Sequence, residues 1–183
     1  MDSFAKTIQL DDESHRSLLK MIGVKPWRIL SPCIQLADMH VTSPSLSIEC
    51  GPRAYSAITC TWFESPHTFT DYWRISIAET TKPLGIEMNS DGALVAPCAI
   101  NLYNALPISS IEVYSSCWEW SDNDAAERVE WDSALLFDMQ QDRRFCIWCQ
   151  LDGPGIATEV SYTEKQELIE DVLKNASLRT RIG

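Results

Sequence analysis

The chain has little of what enzyme signatures are built from. It holds three histidines, and His15, His40 and His67 each stand alone, with no HExxH, paired-histidine or nucleophile-elbow spacing. Cys146-Ile-Trp-Cys149 has the C-x-x-C spacing of a zinc or redox site. A zinc site would need a second ligand pair, which is missing, and on a strand positions three apart point to opposite faces. No metal and no cofactor are therefore expected. Asp122-Asn-Asp124 begins like a calcium loop but lacks the glycine at the sixth position, and Arg128 falls inside the frame. Gly153-Pro-Gly155 lacks both the length and the following helix of a phosphate cradle, and is expected to be a turn. The start, MDSFAKTIQLDDESH, has no basic segment leading into an apolar run, so a cytoplasmic location is expected. Residues 92–111 carry no charge, yet Pro97, Asn101, Asn104 and Pro107 make them core and turns rather than a lipid-facing helix. Internal repeats, low-complexity tracts and linkers are also lacking, which leaves residues 1–183 as a single globular domain.

Hydrophobic residues make up 45% of the chain and tryptophan occurs seven times, which argues for a packed globule. At 183 residues it can bury roughly 70% of its unfolded surface without staples. The net charge of −11 weighs against direct contact with nucleic acid or an anionic membrane. Lys174, Arg179 and Arg181 form the only concentrated positive charge, too little for a phosphate groove. Cys33, Cys50, Cys60, Cys98, Cys117, Cys146 and Cys149 form an odd, unevenly spaced set. Free, mostly buried thiols in a reducing compartment are the expectation.

Asp11 and Asp12 are placed to cap a helix over residues 12–22, with Leu18, Leu19 and Ile22 inward and Gly23 ending it. From Trp27 the pattern is extended. Ala54–Phe63 sets Ile58, Cys60 and Trp62 on one face, and Tyr72–Ala78 alternates in the same way. Asn89-Ser90-Asp91-Gly92 is a hairpin signal. Ile111–Trp120 and Trp131–Met139 read as strands flanking an acidic loop. Gln140–Asp142 turns the chain into Arg144–Leu151, which is apolar on both faces and so either central or covered by a helix. Ala157–Tyr162 reads as a further strand. Thr163-Glu-Lys-Gln166 has the capping-box pattern and opens a helix to Asn175 with Leu168, Ile169, Val172 and Leu173 inward. The expected class is α+β: a mainly antiparallel sheet or sandwich with a short N-terminal helix and a capped C-terminal helix.

Residues 117–132, CWEWSDNDAAERVEWD, hold three tryptophans among six carboxylates, with Arg128 as the only base. Over residues 112–142 nine carboxylates face that one base, a net of −8, reduced to −6 by Arg143 and Arg144. Cross-strand indole packing around a polar loop accounts for the pattern structurally. Glu119, Glu130 and Asp132 are candidates for paired-carboxylate chemistry, but nothing in the sequence selects them. The functional reading is a negative face with indole anchors, suited to a basic partner. Its site is Trp118, Glu119, Trp120, Asp122, Asp124, Glu127 and Glu130.

With the pattern IEVY…WDSALLFDM…DRRFCIWCQLDGPG and a capped C-terminal helix, residues 108–175 resemble immunity proteins of bacterial polymorphic or contact-dependent growth-inhibition toxin systems. The resemblance implies a non-enzymatic protein that binds and neutralises a cognate toxin domain, often a nuclease; the charge makes a basic domain the expected partner, with no direct nucleic acid and no membrane. The alternative is a small-ligand-binding or metal-dependent cytosolic enzyme, with a deep polar pocket near His40, His67 or the cysteines.

Overall fold

A computed structural model describes residues 2–36, 39–102, 105–152 and 157–183. In chain order these form β1 (Asp2–Ile8), α1 (Asp12–Met21), β2 (Arg28–Ser31), β3 (Gln35–Leu36) and β4 (Val41–Ser43). Next come β5 (Ser45–Gly51), β6 (Ala54–Glu64), β7 (Asp71–Thr80), β8 (Cys98–Asn101), β9 (Ile108–Ser121) and β10 (Ala125–Met139). The chain ends with β11 (Arg144–Asp152), β12 (Ala157–Thr163), α2 (Gln166–Leu173) and β13 (Ser177–Ile182). The Gly153-Pro-Gly155 turn and Asn104 lie outside the described residues.

One eight-stranded sheet runs β13-β9-β10-β11-β12-β4-β3, with β1 added beside β10, and a five-stranded sheet runs β7-β6-β5-β2-β8. Every pairing is antiparallel except β1 with β10. The expectation of an α+β chain dominated by antiparallel strands holds at that level. The main core lies between the sheets, where Ile48, Ile58 and Ile77 of the smaller meet Val113, Phe137 and Ile147 of the larger. β4 and β5 belong to different sheets, so the chain crosses between them at Pro44, a residue with no amide to give to either ladder. The hydroxyl of Ser43, bonded to that of Ser31, donates to the Ser45 carbonyl at 2.7 Å and ties the corner.

β11 shows why two apolar faces occur on one strand. Phe145, Ile147 and Cys149 enter the main core, while Cys146 and Trp148 form a second cluster with Ile169 of α2. The thiols of the C-x-x-C pair diverge, as strand geometry requires. Cys149 is nevertheless not free: it forms a disulfide with Cys60 of β6, their Cα atoms 6.3 Å apart. Both cysteines point inward from facing sheets, so the bond staples the sandwich. This corrects the expectation of seven free thiols to five: Cys33, Cys50, Cys98, Cys117 and Cys146.

Local expectations fared unevenly. α1 forms with Asp11 as N-cap, its carboxylate accepting from the Ser14 amide at 2.8 Å, and Gly23 follows at φ +79°. Leu18 is buried, but Leu19 is 53% exposed, because the helix lies along β7 and buries a narrow stripe. Gln141 and Asp142 both take left-handed φ angles in the β10–β11 turn. Asn89–Gly92 closes only a single bridge, Met88 to Leu94. The capping box at Thr163 does not form. Thr163 ends β12, its hydroxyl donates to the Met39 carbonyl, and α2 starts from Lys165 without a side-chain cap.

Candidate partner-binding site

β9 and β10 pair from Ile108–Met139 to Ser121–Ala126, a hairpin turned by Asp122–Asp124 alone. The expected acidic loop is thus mostly strand. The reason is visible in Arg128-Val129-Glu130-Trp131, where period-two alternation puts apolar residues on one face and charge on the other. β1 adds on the far side of β10 with Phe4 opposite Glu127 and Ile8 opposite Trp131.

Residues directly opposite share a face. One face carries Trp118, Trp120, Glu127, Val129 and Trp131 with Phe4, Lys6 and Ile8. Val129 and Trp131 are buried against the β6–β7 hairpin. There Tyr72 stacks on Phe63 at 5.5 Å and meets Trp131 at 6.4 Å, and the Lys6 ammonium sits 4.8 Å over the Phe63 ring. The other face carries Cys117, Glu119, Ser121, Ala126, Arg128 and Glu130 with Ser3, Ala5 and Thr7 of β1. Part of it lines a shallow hollow of about 580 Å³.

Glu127 sits where the two hairpins meet. It is 2% exposed and reaches the turn after β6. Its carboxylate accepts from the His67 amide at 3.1 Å, the Thr68 amide at 3.3 Å and the Thr68 hydroxyl at 2.5 Å. Burial alone would raise this carboxyl. The hydrogen bonds from Ser65, Thr68 and the two amides outweigh it and hold the group below its ordinary value. Glu127 therefore clamps a loop and does not face a partner, which corrects its place in the expected site.

The clamped loop presents Phe69, which the sequence reading missed. Phe69 is 69% exposed and its backbone is left-handed at φ 54°. A bulky residue in that region is strained and persists only where its surroundings impose it. Hydroxyls do so here: Thr68 and Thr70 are 2.7 Å apart, and Ser65 accepts from the Thr70 amide at 2.9 Å. No local signal marks the loop, since its anchor is 59 residues away in sequence.

The other carboxylates of residues 112–142 are largely matched. Arg179 grips buried Asp132 through Nε at 2.6 Å and Nη2 at 2.7 Å, with the Ser115 hydroxyl and Leu10 amide completing its shell. Arg181 and the Tyr114 hydroxyl hold Glu112, and Arg144 pairs with Asp138 at 2.8 Å. The basic tail thus lies on the acidic segment itself. Arg128 bridges Glu119 and Glu130, both exposed enough to be screened. Asp122 and Asp124 at the tip are exposed, and Trp118 is 40% exposed beside half-buried Trp120. Of the expected site, Trp118, Glu119, Trp120, Asp122 and Asp124 converge on this end, with Glu130 on the adjoining face.

Groups an enzyme would recruit sit elsewhere. His15 is exposed on α1, His40 packs on Trp148 with ring centroids 5.5 Å apart, and the His67 amide serves Glu127. A hollow of about 390 Å³ lies against Cys50, Lys20, Arg53 and Glu79. Burial pushes the Cys50 thiol up, the opposite of what a nucleophile needs. Among the described residues no three histidines, cysteines or carboxylates converge as a metal would require, and no helix is long and apolar enough to cross a membrane. Comparison with protein-family models, curated proteins and solved structures found no match.

Proposed function

We propose that the chain is a non-enzymatic binding protein that docks a basic protein partner on the end of the sandwich formed by the β9–β10 tip and the Ser65–Thr70 loop. The observation that carries this reading is the Glu127 clamp. It fixes an exposed, strained Phe69 on the same end as exposed Trp118, Asp122 and Asp124. Rigid aromatic anchors ringed by unmatched charge suit an interface in which few residues supply most of the affinity. With a net charge of −11, long-range steering favours a cationic partner. Within that class we place a toxin domain, such as a nuclease whose anion-binding cleft would accept carboxylates, and an immunity or antitoxin role. A cytoplasmic setting belongs to the same proposal, and the Cys60–Cys149 disulfide is the observation that weighs against it, since a reducing compartment favours free thiols.

The test is affinity capture on the wild-type chain and on the Asp122→Lys/Asp124→Lys variant, followed by binding kinetics with the captured protein. The reading expects one basic protein, slower association of the variant at low salt and a weaker salt dependence. Trp118→Ala should instead raise the off-rate, by on the order of 2–4 kcal/mol in binding energy. An unchanged association rate and affinity for the double reversal would leave the acidic tip a simple turn.

A further inference from the structure

The β9 strand is paired on one side as far as Ser121, opposite Ala126 of β10. On its other side the β13 ladder stops at Ser115, opposite Ser177. From Ser116 to Ser121 no strand among the described residues pairs with that outer edge. The hairpin tip sets which groups face outward. The Asp122 amide donates to the Ala125 carbonyl at 2.8 Å, so Asp122 and Ala125 face each other with their backbone groups turned inward. Antiparallel ladders alternate, and Trp120 and Trp118 therefore turn their N–H and C=O toward β10. Cys117, Glu119 and Ser121 turn theirs away, toward open space.

We propose that this edge is a strand-addition site, and that its occupant is an extended lysine- or arginine-bearing segment of the partner protein. The inference rests on the binding reading above and specifies its mode. An open edge beside an exposed indole is a template for any strand, which native proteins usually guard with charge. Here three carboxylates guard it, Glu119, Asp122 and Asp124, all exposed, and Arg128 of β10 offsets only Glu119 among them. A second copy of the chain would bring these carboxylates against their equivalents, and like charges directly opposite destabilise a pair. A basic strand meets the reverse. Main-chain bonds at Cys117, Glu119 and Ser121 would hold it in register, Trp118 would cover its side chains on one face, and on the other Glu119, which Arg128 holds through Oε1, would offer its second oxygen to a cation.

The experiment uses the full chain labelled with nitrogen-15 and two capped eight-residue probes, one alternating lysine with threonine and the other glutamate with threonine. The proposal expects the lysine peptide, at millimolar concentration, to slow amide exchange at Cys117, Glu119 and Ser121 several-fold and to shift their resonances. The glutamate peptide should do neither. Ser121→Pro removes an outward donor and no ladder bond, so it should weaken the lysine peptide about fivefold, the worth of one hydrogen bond. Circular dichroism checks its fold, and the wild-type exchange pattern stands without the variant. Failure of the lysine peptide to bind overturns the proposal. Binding that leaves the three outward amides unprotected also overturns it. If that binding is still lost in Asp122→Lys/Asp124→Lys, the acidic docking surface survives and only the strand-addition mode falls.

Discussion

Glu127 offers the sharpest test of how this end of the molecule is held. Glu127→Ala would leave the His67 and Thr68 amides and the Thr68 hydroxyl without their acceptor. A buried donor left unsatisfied costs about 1–3 kcal/mol. His67 and Thr68 are half-buried, so water recovers part of that, and a total of about 3 kcal/mol is expected. Glu127→Gln keeps a carbonyl oxygen for the two amides, and the Thr68 hydroxyl can turn to accept from the carboxamide. The loss should then fall to about 1 kcal/mol, chiefly the charge on those bonds. The pH dependence follows from the lowered carboxyl. The unfolded chain, with its ordinary value of 4.5, binds the proton more readily than the folded one. The stabilisation is therefore complete above that value and is lost as the pH falls through the lower folded value. Urea titrations of the three proteins between pH 7 and pH 3, with amide exchange across Ser65–Thr70, measure both effects. The wild-type advantage over Glu127→Gln should shrink below pH 4.5. A cost below about 0.5 kcal/mol for Glu127→Ala, with unaltered exchange in the loop, would refute the clamp.

Three further outcomes concern the cysteines and the buried Asp132. Thiol titration of protein unfolded without reductant should find five thiols, and recovery of seven would show the Cys60–Cys149 pair reduced. In the folded protein at pH 8, alkylation should reach exposed Cys33 and Cys117 but spare Cys146, which burial pushes up to about 12. Asp132→Ala would strand the Arg179 guanidinium beside buried strands, and a loss of about 3–5 kcal/mol in urea unfolding is expected. A loss near zero would show that water replaces the pair.

The elements read correctly from sequence are those whose signal is local. The Asp11 cap lies three residues from the amide it serves, and β11 carries its two apolar faces within nine residues. β1 had such a signal too, since Phe4, Lys6 and Ile8 alternate with Ser3, Ala5 and Thr7, but lysine in the apolar row hid it. Lys6 belongs there because its ammonium lies over the rings of Phe63 and Tyr72. β13 was read past for a similar reason. Its arginines suggested a basic tail, whereas Arg179 and Arg181 neutralise Asp132 and Glu112 of the neighbouring strands.

What separates the carboxylates of the acidic segment is their partners, and those come from far along the chain. Glu127 and Glu130 are three residues apart with identical side chains, yet one is 2% exposed under a loop and the other lies on an open face. Strand parity accounts for the two faces; only the β6–β7 hairpin, about 60 residues upstream, accounts for the clamp. The same holds for the disulfide, whose cysteines are 89 residues apart and meet only once the two sheets have packed. Charge counted along a sequence therefore overstates the charge a partner meets. Here most of the segment's carboxylates are held by arginines, hydroxyls or amides; the exposed ones with no cation paired to them are Asp122 and Asp124, beside the open edge of β9, and Asp142 in the β10–β11 turn, and of these Asp122 accepts from the Asn123 amide. Under the proposed binding role, a partner attracted to this end would meet exposed backbone donors and an indole together with the charge, so its selection would depend on shape and hydrogen bonding as much as on sign.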